Sequence, residues 1–364
     1  MSHTMARSIT VDRVRWLGYR WRTHGFAERR GDEGLDRLLT LGFQDTRQVG
    51  AVQSLVQRTA SVDGADVADA VVSDGPLAAM WSVRVAPHVY RRGRLAFVRD
   101  ALAPQDADEG GPAHVAAVDE VASALAAVVR GPVSKGDASG EVTERVRPEL
   151  VEWCPRCKAR HVPDRLFREA GRQACLVLDP DRRRGTVLLP PPGDPQEKVE
   201  RPRLTMLETY VRVNGPVSRP VYRDWLGSAS VADLWPDLGE LVRVEIDGHR
   251  YDLPEELLDP LRTAPAPSGV VLVPPNDPYV RQTDRTLLIP DKARRQEALR
   301  ALSGPGLLLV DGEVAGTWRY RRGGHEVAVS TFERLPRTRR AEGERSAGLA
   351  VTVLGDDQPK VTWG

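Results

Sequence analysis

Cysteine is almost missing from this chain: 3 residues among 364, an odd number. A disulfide framework needs pairs and an oxidising compartment, so the count points to a reducing one. Lysine is scarce beside arginine, and the formal net charge is only +1, which excludes a uniformly basic nucleic-acid coat. The positive charge is nevertheless uneven and almost all arginine, whose forked guanidinium suits phosphates and base edges. A GC-rich coding bias would raise Arg, Ala, Val and Gly together and accounts for the same excess. No apolar run approaches ~20 residues, and the N-terminus lacks the apolar core of a signal peptide. The expectation is a soluble, cytoplasmic protein with no membrane span. Two further absences narrow the chemistry. There is no Gly-x-Ser-x-Gly elbow and no glycine-rich loop ending in Gly-Lys-Ser/Thr, so hydrolases and NTPases built on those motifs are excluded.

What is present is an internal echo. Gly131-Pro132-Val133-Ser134 and Gly215-Pro216-Val217-Ser218 each close one helical pattern and open another. Before the first break, Val115, Val118, Val121, Ala122, Leu125 and Val128 recur at helical spacing, and Ser134 can cap the helix that follows. Before the second come Leu204, Leu207, Val211 and Val213; after it a short helix runs through Tyr222 and Leu226 to Gly227. A third helix over roughly 229–234 leads into Leu241 to Ile246, then Asp247-Gly248, then His249 to Leu253. Asp-Gly between two alternating runs signals a tight hairpin. Helix, turn, two short helices and a hairpin make a winged-helix module, whose usual work is on nucleic acid.

Composition divides the chain into 1–108, 109–195, 200–262 and 268–364. One amphipathic helix is expected over 9–26, with Val11, Val14, Leu17 and Trp21 on one side, and further helices over 35–43 and 48–59. Met80 to Val85 alternates like a strand, and that strand would carry Arg84, with Trp81 beside it and His88 beyond, toward phosphates. An acidic linker at 106–111, the proline run after Val187-Leu188-Leu189 and the segment 263–269 mark the boundaries. Beyond the last, short runs at 270–273, 287–289, 307–310, 314–321, 325–331 and 349–354 suggest a small β-barrel. Arg319, Arg321 and Arg322 before Gly323-Gly324 would sit near a hairpin tip, where they either clamp DNA or keep a sheet edge soluble. Arg334, Arg337, Arg339 and Arg340 read as loop surface.

Cys154-Pro155-Arg156-Cys157 with His161 has the compactness of a zinc hairpin. Zinc takes four ligands, and the only other thiol, Cys175, lies well beyond them with no second Cys-x2-Cys pair. The expectation is therefore buried structural thiols and no metal.

The order of several motifs, Leu41-Gly42-Phe43-Gln44-Asp45-Thr46, Trp81-x-x-Arg84-x-x-x-His88, the two Gly-Pro-Val-Ser breaks, Val273-Pro274-Pro275-Asn276-Asp277-Pro278-Tyr279, Asp284-Arg285 and Leu309 to Arg319, resembles the AlkZ/YcaQ-like winged-helix DNA glycosylase family. The resemblance implies an α+β fold of three tandem winged-helix motifs with a C-terminal β-barrel, curved around duplex DNA. It further implies excision of alkylated or crosslinked purines by a monomer without metal or organic cofactor. Its Gln-x-Gln or Gln-x-Asp catalytic motif falls on Gln44-Asp45-Thr46, where Thr46 replaces the second Gln or Asp and the carboxylate is displaced to Asp45. Threonine reaches less far and is no base at neutral pH. Asp45 could equally cap the following helix. The resemblance gives Trp81, Arg84 and His88 as DNA contacts, with Val85 standing where the family has glycine; beside that reading, Trp81 suits a core aromatic and His88 a ring satisfied by local hydrogen bonds. Two other classes are kept beside the glycosylase: a non-catalytic DNA-binding regulator or damage recogniser, and a protein-interaction scaffold.

Overall fold

The computed structural model describes residues 8–28, 35–46, 49–59, 69–71, 74–181, 185–227, 231–300, 304–321, 323, 325–355 and 358–364. Arg322 and Gly324, the start of the 48–59 helix and the start of the 229–234 helix lie outside them. Near the N-terminus a strand replaces the first turns of the expected helix. Ile9 belongs to β1 (Ser8–Thr10), and extended Asp12 precedes α1 (Arg13–Thr23). Trp16, Leu17 and Trp21 face the core as their spacing requires, whereas Val14 stays 45% exposed. Then follow α2 (Asp36–Leu41), β2 (Phe43–Gln44), α3 (Gly50–Val56), β3 (Leu77–Trp81), β4 (Pro87–Arg91) and α4 (Leu95–Ala101).

In the next stretch α5 (Gly111–Val128) starts with Pro112 in its first turn and stops before Gly131-Pro132, since proline cannot continue the ladder. Beyond β5 (Val133–Ser134), Ser134 caps α6 (Lys135–Thr143) by accepting the Asp137 amide. A separate hairpin, β6 (Glu152–Cys154) and β7 (Ala159–His161), precedes α7 (Asp164–Gln173), β8 (Val177–Leu178) and β9 (Val187–Leu189). The third stretch holds α8 (Pro202–Asn214) and α9 (Arg219–Leu226), where Pro220 starts the helix and Ser218 makes no side-chain cap. A 3₁₀ helix (Ala232–Leu238) with Pro236 inside it leads to β10 (Leu241–Ile246) and β11 (His249–Pro254). Asp247 and Gly248 both have positive φ, 48° and 79°, the pair that a tight turn of matching twist demands.

One order recurs in these two stretches: a helix, a short extended segment, two helices and two strands, with the early segment against the last strand. β5 pairs with β9, and Val217 bridges Asp252 of β11. In the first stretch β2 likewise pairs with β4, the strand that ends its own pair. Gln44 therefore occupies the place of Ser134 and Ser218, at the entrance to the next helix. The sheets cross the composition boundaries, because one six-stranded sheet runs β2-β4-β3-β8-β9-β5 and β1 lies parallel to β10. Below them a continuous buried core extends from Val11 to Val314.

The C-terminal stretch departs from expectation. After α10 (Leu258–Arg262) come β12 (Val270–Val273), α11 (Pro278–Arg281), α12 (Arg285–Leu288), α13 (Lys292–Ala298), β13 (Gly306–Val310), β14 (Glu313–Arg321), β15 (Glu326–Thr331), α14 (Arg337–Thr352) and β16 (Lys360–Trp363). Among the described residues the strands form an open sheet, β12-β13-β14-β15-β16, rather than a closed barrel. The reason is α14, which lays Ala347, Ala350 and Val351 on Leu272, Leu308 and Val327 and so covers the face that a barrel would have enclosed. Of the arginines expected in a loop, Arg334 stays outside regular structure, whereas Arg337, Arg339 and Arg340 open this helix and one Arg339 nitrogen donates to both Asp311 carboxylate oxygens. The apolar run at 349–354 is helical through Thr352, and 287–289 ends a short helix rather than forming a strand.

Two buried arginines fasten the N-terminal helices to the 273–279 motif. Arg20 lies between the rings of Trp16 and Tyr279, 5.0 and 4.3 Å from their centroids. Arg58, fully enclosed, donates to both carboxylate oxygens of Asp277 at 2.9 and 2.6 Å. The motif is thus a clasp between chain ends.

Candidate active site

Gln44 ends the edge strand β2, opposite His88 of β4. Its half-buried amide is held at both ends: the Nε2 group donates to the Thr46 hydroxyl at 2.7 Å, and Oε1 accepts from the Arg84 guanidinium at 3.1 Å. Thr46 is exposed. Three of the residues singled out from sequence therefore form one hydrogen-bonded chain. Asp45 turns the other way, as alternation along a strand requires. It is 6% exposed, and its Oδ1 accepts the Ala51 amide at the start of α3. This contact matches the helix-capping reading of Asp45, since the carboxylate receives a first-turn amide of α3.

Arg84 does not sit on a strand. β3 stops at Trp81, and a tight turn follows with left-handed backbone at Arg84 (φ 53°) and Val85 (φ 51°). Left-handed backbone is where glycine is at ease and a β-branched residue is strained. Val85 thus keeps, at a cost, a conformation suited to the glycine of the resembling sequences. The turn lets Arg84 reach Gln44 with one nitrogen and the Trp225 carbonyl of α9 with another, at 2.9 Å. Val49, at φ 74°, is a third strained residue beside this site.

Trp81 and His88 require correction as DNA contacts. Trp81 is 2% exposed and meets Phe167 edge-on at 6.0 Å. Gly171 makes room for it, since a Cβ there would lie 2.5 Å from the indole. His88 is 3% exposed, and its Nδ1 lies 3.0 Å from the Ala86 carbonyl. Burial pulls its pKa down to about 3, outweighing the carbonyl, so the ring stays neutral. A histidine depressed below its unfolded value of ~6.5 contributes stability above that pH and loses it on acidification, by ~1.4 kcal/mol per pH unit until the folded pKa is reached. His88→Gln should accordingly flatten the acid limb of stability between about pH 6 and 4. Denaturant midpoints measured across that range check it, and parallel limbs for both proteins would count against it.

Arg319 and Arg321 lie exposed on β14. Arg321 pairs with Glu326 across the hairpin at 3.3 Å. The tertiary structure brings both to the Gln44 motif: a cleft of about 320 Å³ is lined by Gln44, Thr46, Pro274, Trp318, Arg319 and Arg321. Two further cations escaped sequence reading. Arg281, pushed down to about 10 by burial and then by Arg285 and Arg84, shares its region with both. Its guanidinium donates to Asn276, and Arg285 pairs with Asp224. In the sequence Asp284-Arg285 stands only as part of a motif, and nothing in its local spacing points to a meeting with Arg84. Arg84 and Arg281, both desolvated by burial, place positive charge close together, an arrangement suited to phosphate.

A sequence model of the AlkZ-like DNA glycosylases matches residues 35–351. The chain belongs to the AlkZ-like DNA glycosylase family. Among solved structures, the Streptomyces sahachiroi DNA glycosylase AlkZ superposes with a TM-score of 0.77 over 98% of this chain and 100% of that one, at 20% identity. That likeness establishes a shared fold. No curated protein sequence matches the chain. Family membership makes DNA the partner, and no helix among the described residues is long and apolar enough to cross a membrane.

Proposed function

We propose that the protein hydrolyses the N-glycosidic bond of N7-alkylated or crosslinked purines in duplex DNA, with Gln44 and Thr46 placing the attacking water. The supporting observation is the Gln44 amide, fixed by Arg84 and Thr46 at the rim of a cleft that also carries Arg319 and Arg321. An N7-alkylated purine already bears positive charge, so its departure needs no strong acid. As the C1′–N9 bond breaks, its electron pair neutralises the base, and the sugar becomes oxocarbenium-like. Water then bonds to C1′ and releases its proton to solvent. The protein's task is to hold that water and to bind the phosphates on either side. Gln44 Oε1 and the Thr46 hydroxyl oxygen each keep a lone pair for it.

In this reading the recurring helix and strand order represents three tandem winged-helix modules, over 1–108, 109–195 and 200–262, followed by the sheet of 268–364. Arg319 and Arg321 would engage the DNA backbone beside the lesion. Arg319→Ala with Arg321→Ala should weaken duplex binding and flatten its salt dependence by up to about two phosphate equivalents, each worth roughly 0.9 in log–log slope. Binding isotherms at several salt concentrations measure this, and an unchanged slope would place the hairpin outside the interface.

One observation favours a second reading, a non-catalytic damage recogniser: the Asp45 carboxylate is committed to Ala51. Single-turnover release of N7-methylguanine from duplex DNA separates the two. Duplex binding without release would support recognition alone.

A further inference from the structure

We propose that Cys154, Cys157 and His161 form a zinc site that orders the β6–β7 hairpin. The side-chain ligand atoms of these three residues all lie within 4.8 Å of one another. Around tetrahedral zinc, with Zn–S about 2.3 Å and Zn–N about 2.0–2.1 Å, ligands stand roughly 3.5–3.8 Å apart, so small side-chain rotations close the site. The register explains the convergence. Cys154 pairs with Ala159, so His161, two residues further, lies on the same face of the ribbon, and the turn through Lys158 (φ 51°) carries Cys157 beside them.

The histidine supplies an independent sign. Its Nδ1 lies 2.8 Å from the Val162 carbonyl, the arrangement that fixes a metal-binding imidazole with Nε2 free to coordinate. That Nε2 is shut off from solvent, and among the described residues it meets no oxygen or nitrogen partner; the Cys154 thiol lies beside the ring instead.

The hairpin also needs a staple. Its strands are three residues each, and Trp153, Arg156, Cys157, Lys158 and Arg160 are all exposed. A two-stranded ribbon without a core is marginal in water, and a metal can replace the missing core. The expectation of buried thiols is overturned for this pair. It holds for Cys175, which is buried beside Arg99 and so cannot be the fourth ligand. Water takes that position, on the exposed side near Cys157. Binding of Zn²⁺ displaces the two thiol protons and leaves a neutral site. The hairpin stands between α6 and α7 of the recurring order, so zinc would hold Trp153, 57% exposed, on a rigid basic tip.

The test uses the full chain. Protein produced with zinc and dialysed should retain about one zinc per molecule. Cobalt substitution should give thiolate charge-transfer and tetrahedral d–d absorption. These bands should vanish in Cys154→Ser with Cys157→Ser, shift in His161→Ala, and stay unchanged in Cys175→Ser. Hydrogen exchange of the 152–161 amides should quicken when the wild type is stripped of metal. Substoichiometric zinc with no cobalt bands in the wild type, whose fold is not in question, would overturn the proposal. So would bands that survive loss of both cysteines or that depend on Cys175.

Discussion

Gln44→Ala should slow excision of N7-methylguanine by about 100-fold or more while leaving duplex affinity nearly intact. Charge and water placement in such a site are commonly worth ~3–4 kcal/mol in the transition state. Alanine removes both the acceptor toward the water and the group that receives Arg84. Affinity should persist, because the exposed cations Arg319 and Arg321 lie on another element. Loss in the chemical step with unchanged binding identifies an interaction made only in the transition state. Asp45→Asn tests the division of labour. An amide oxygen can still accept the Ala51 N–H, so excision should change little if Asp45 is only a cap, whereas a loss as large as that of Gln44→Ala would return it to catalysis. Thr46→Gln restores the motif of the resembling family with a longer reach, and activity should rise. Single-turnover rates decide each case, and equal rates in wild type and Gln44→Ala would remove the motif from the mechanism.

Asp277→Ala should destabilise the fold by roughly 3–5 kcal/mol, the usual cost of breaking a fully buried pair. The mutation strands the Arg58 guanidinium, which is 0% exposed and loses both carboxylate contacts. It also frees the Tyr279 amide, which Asp277 accepts at 2.9 Å. The remaining Arg58 bonds, to the His24 and Ser54 carbonyls at 2.8 and 2.6 Å, tie it to N-terminal segments and cannot neutralise it. Replacing both partners by apolar residues of similar volume should recover much of the loss, since no charge is then left unpaired. Chemical denaturation checks both variants. A loss below about 1 kcal/mol for Asp277→Ala would show that the clasp is not needed.

Much of the architecture is legible in the sequence because it depends on neighbours in the chain. The Gly-Pro breaks, the Ser134 cap, the Asp247-Gly248 turn, the alternating runs of β10 and β11 and the short runs of β13 and β14 use only local backbone chemistry. α14 was hidden for a related reason. Its buried face is made of small residues, Gly343, Ser346, Ala347 and Ala350, under an arginine-rich start, and such a face leaves little periodic signal.

The sequence by itself determined the helix breaks at the two Gly-Pro pairs and the turn at Asp247-Gly248, and that the chain belongs to a family acting on DNA. Only the tertiary structure decided which way each side chain faces. A residue carries its chemistry in the sequence, but burial comes from what packs on it from afar. Trp81 and His88 are therefore core residues, because α7 and the strands around β4 enclose them. Arg84 reaches Gln44 because two left-handed residues turn it there, and Asp45 and Gln44 part because strand neighbours point to opposite faces. The sheet stays open because a distant helix covers it. Cys154, Cys157 and His161 converge through a register set by backbone pairing, which spacing alone does not reveal.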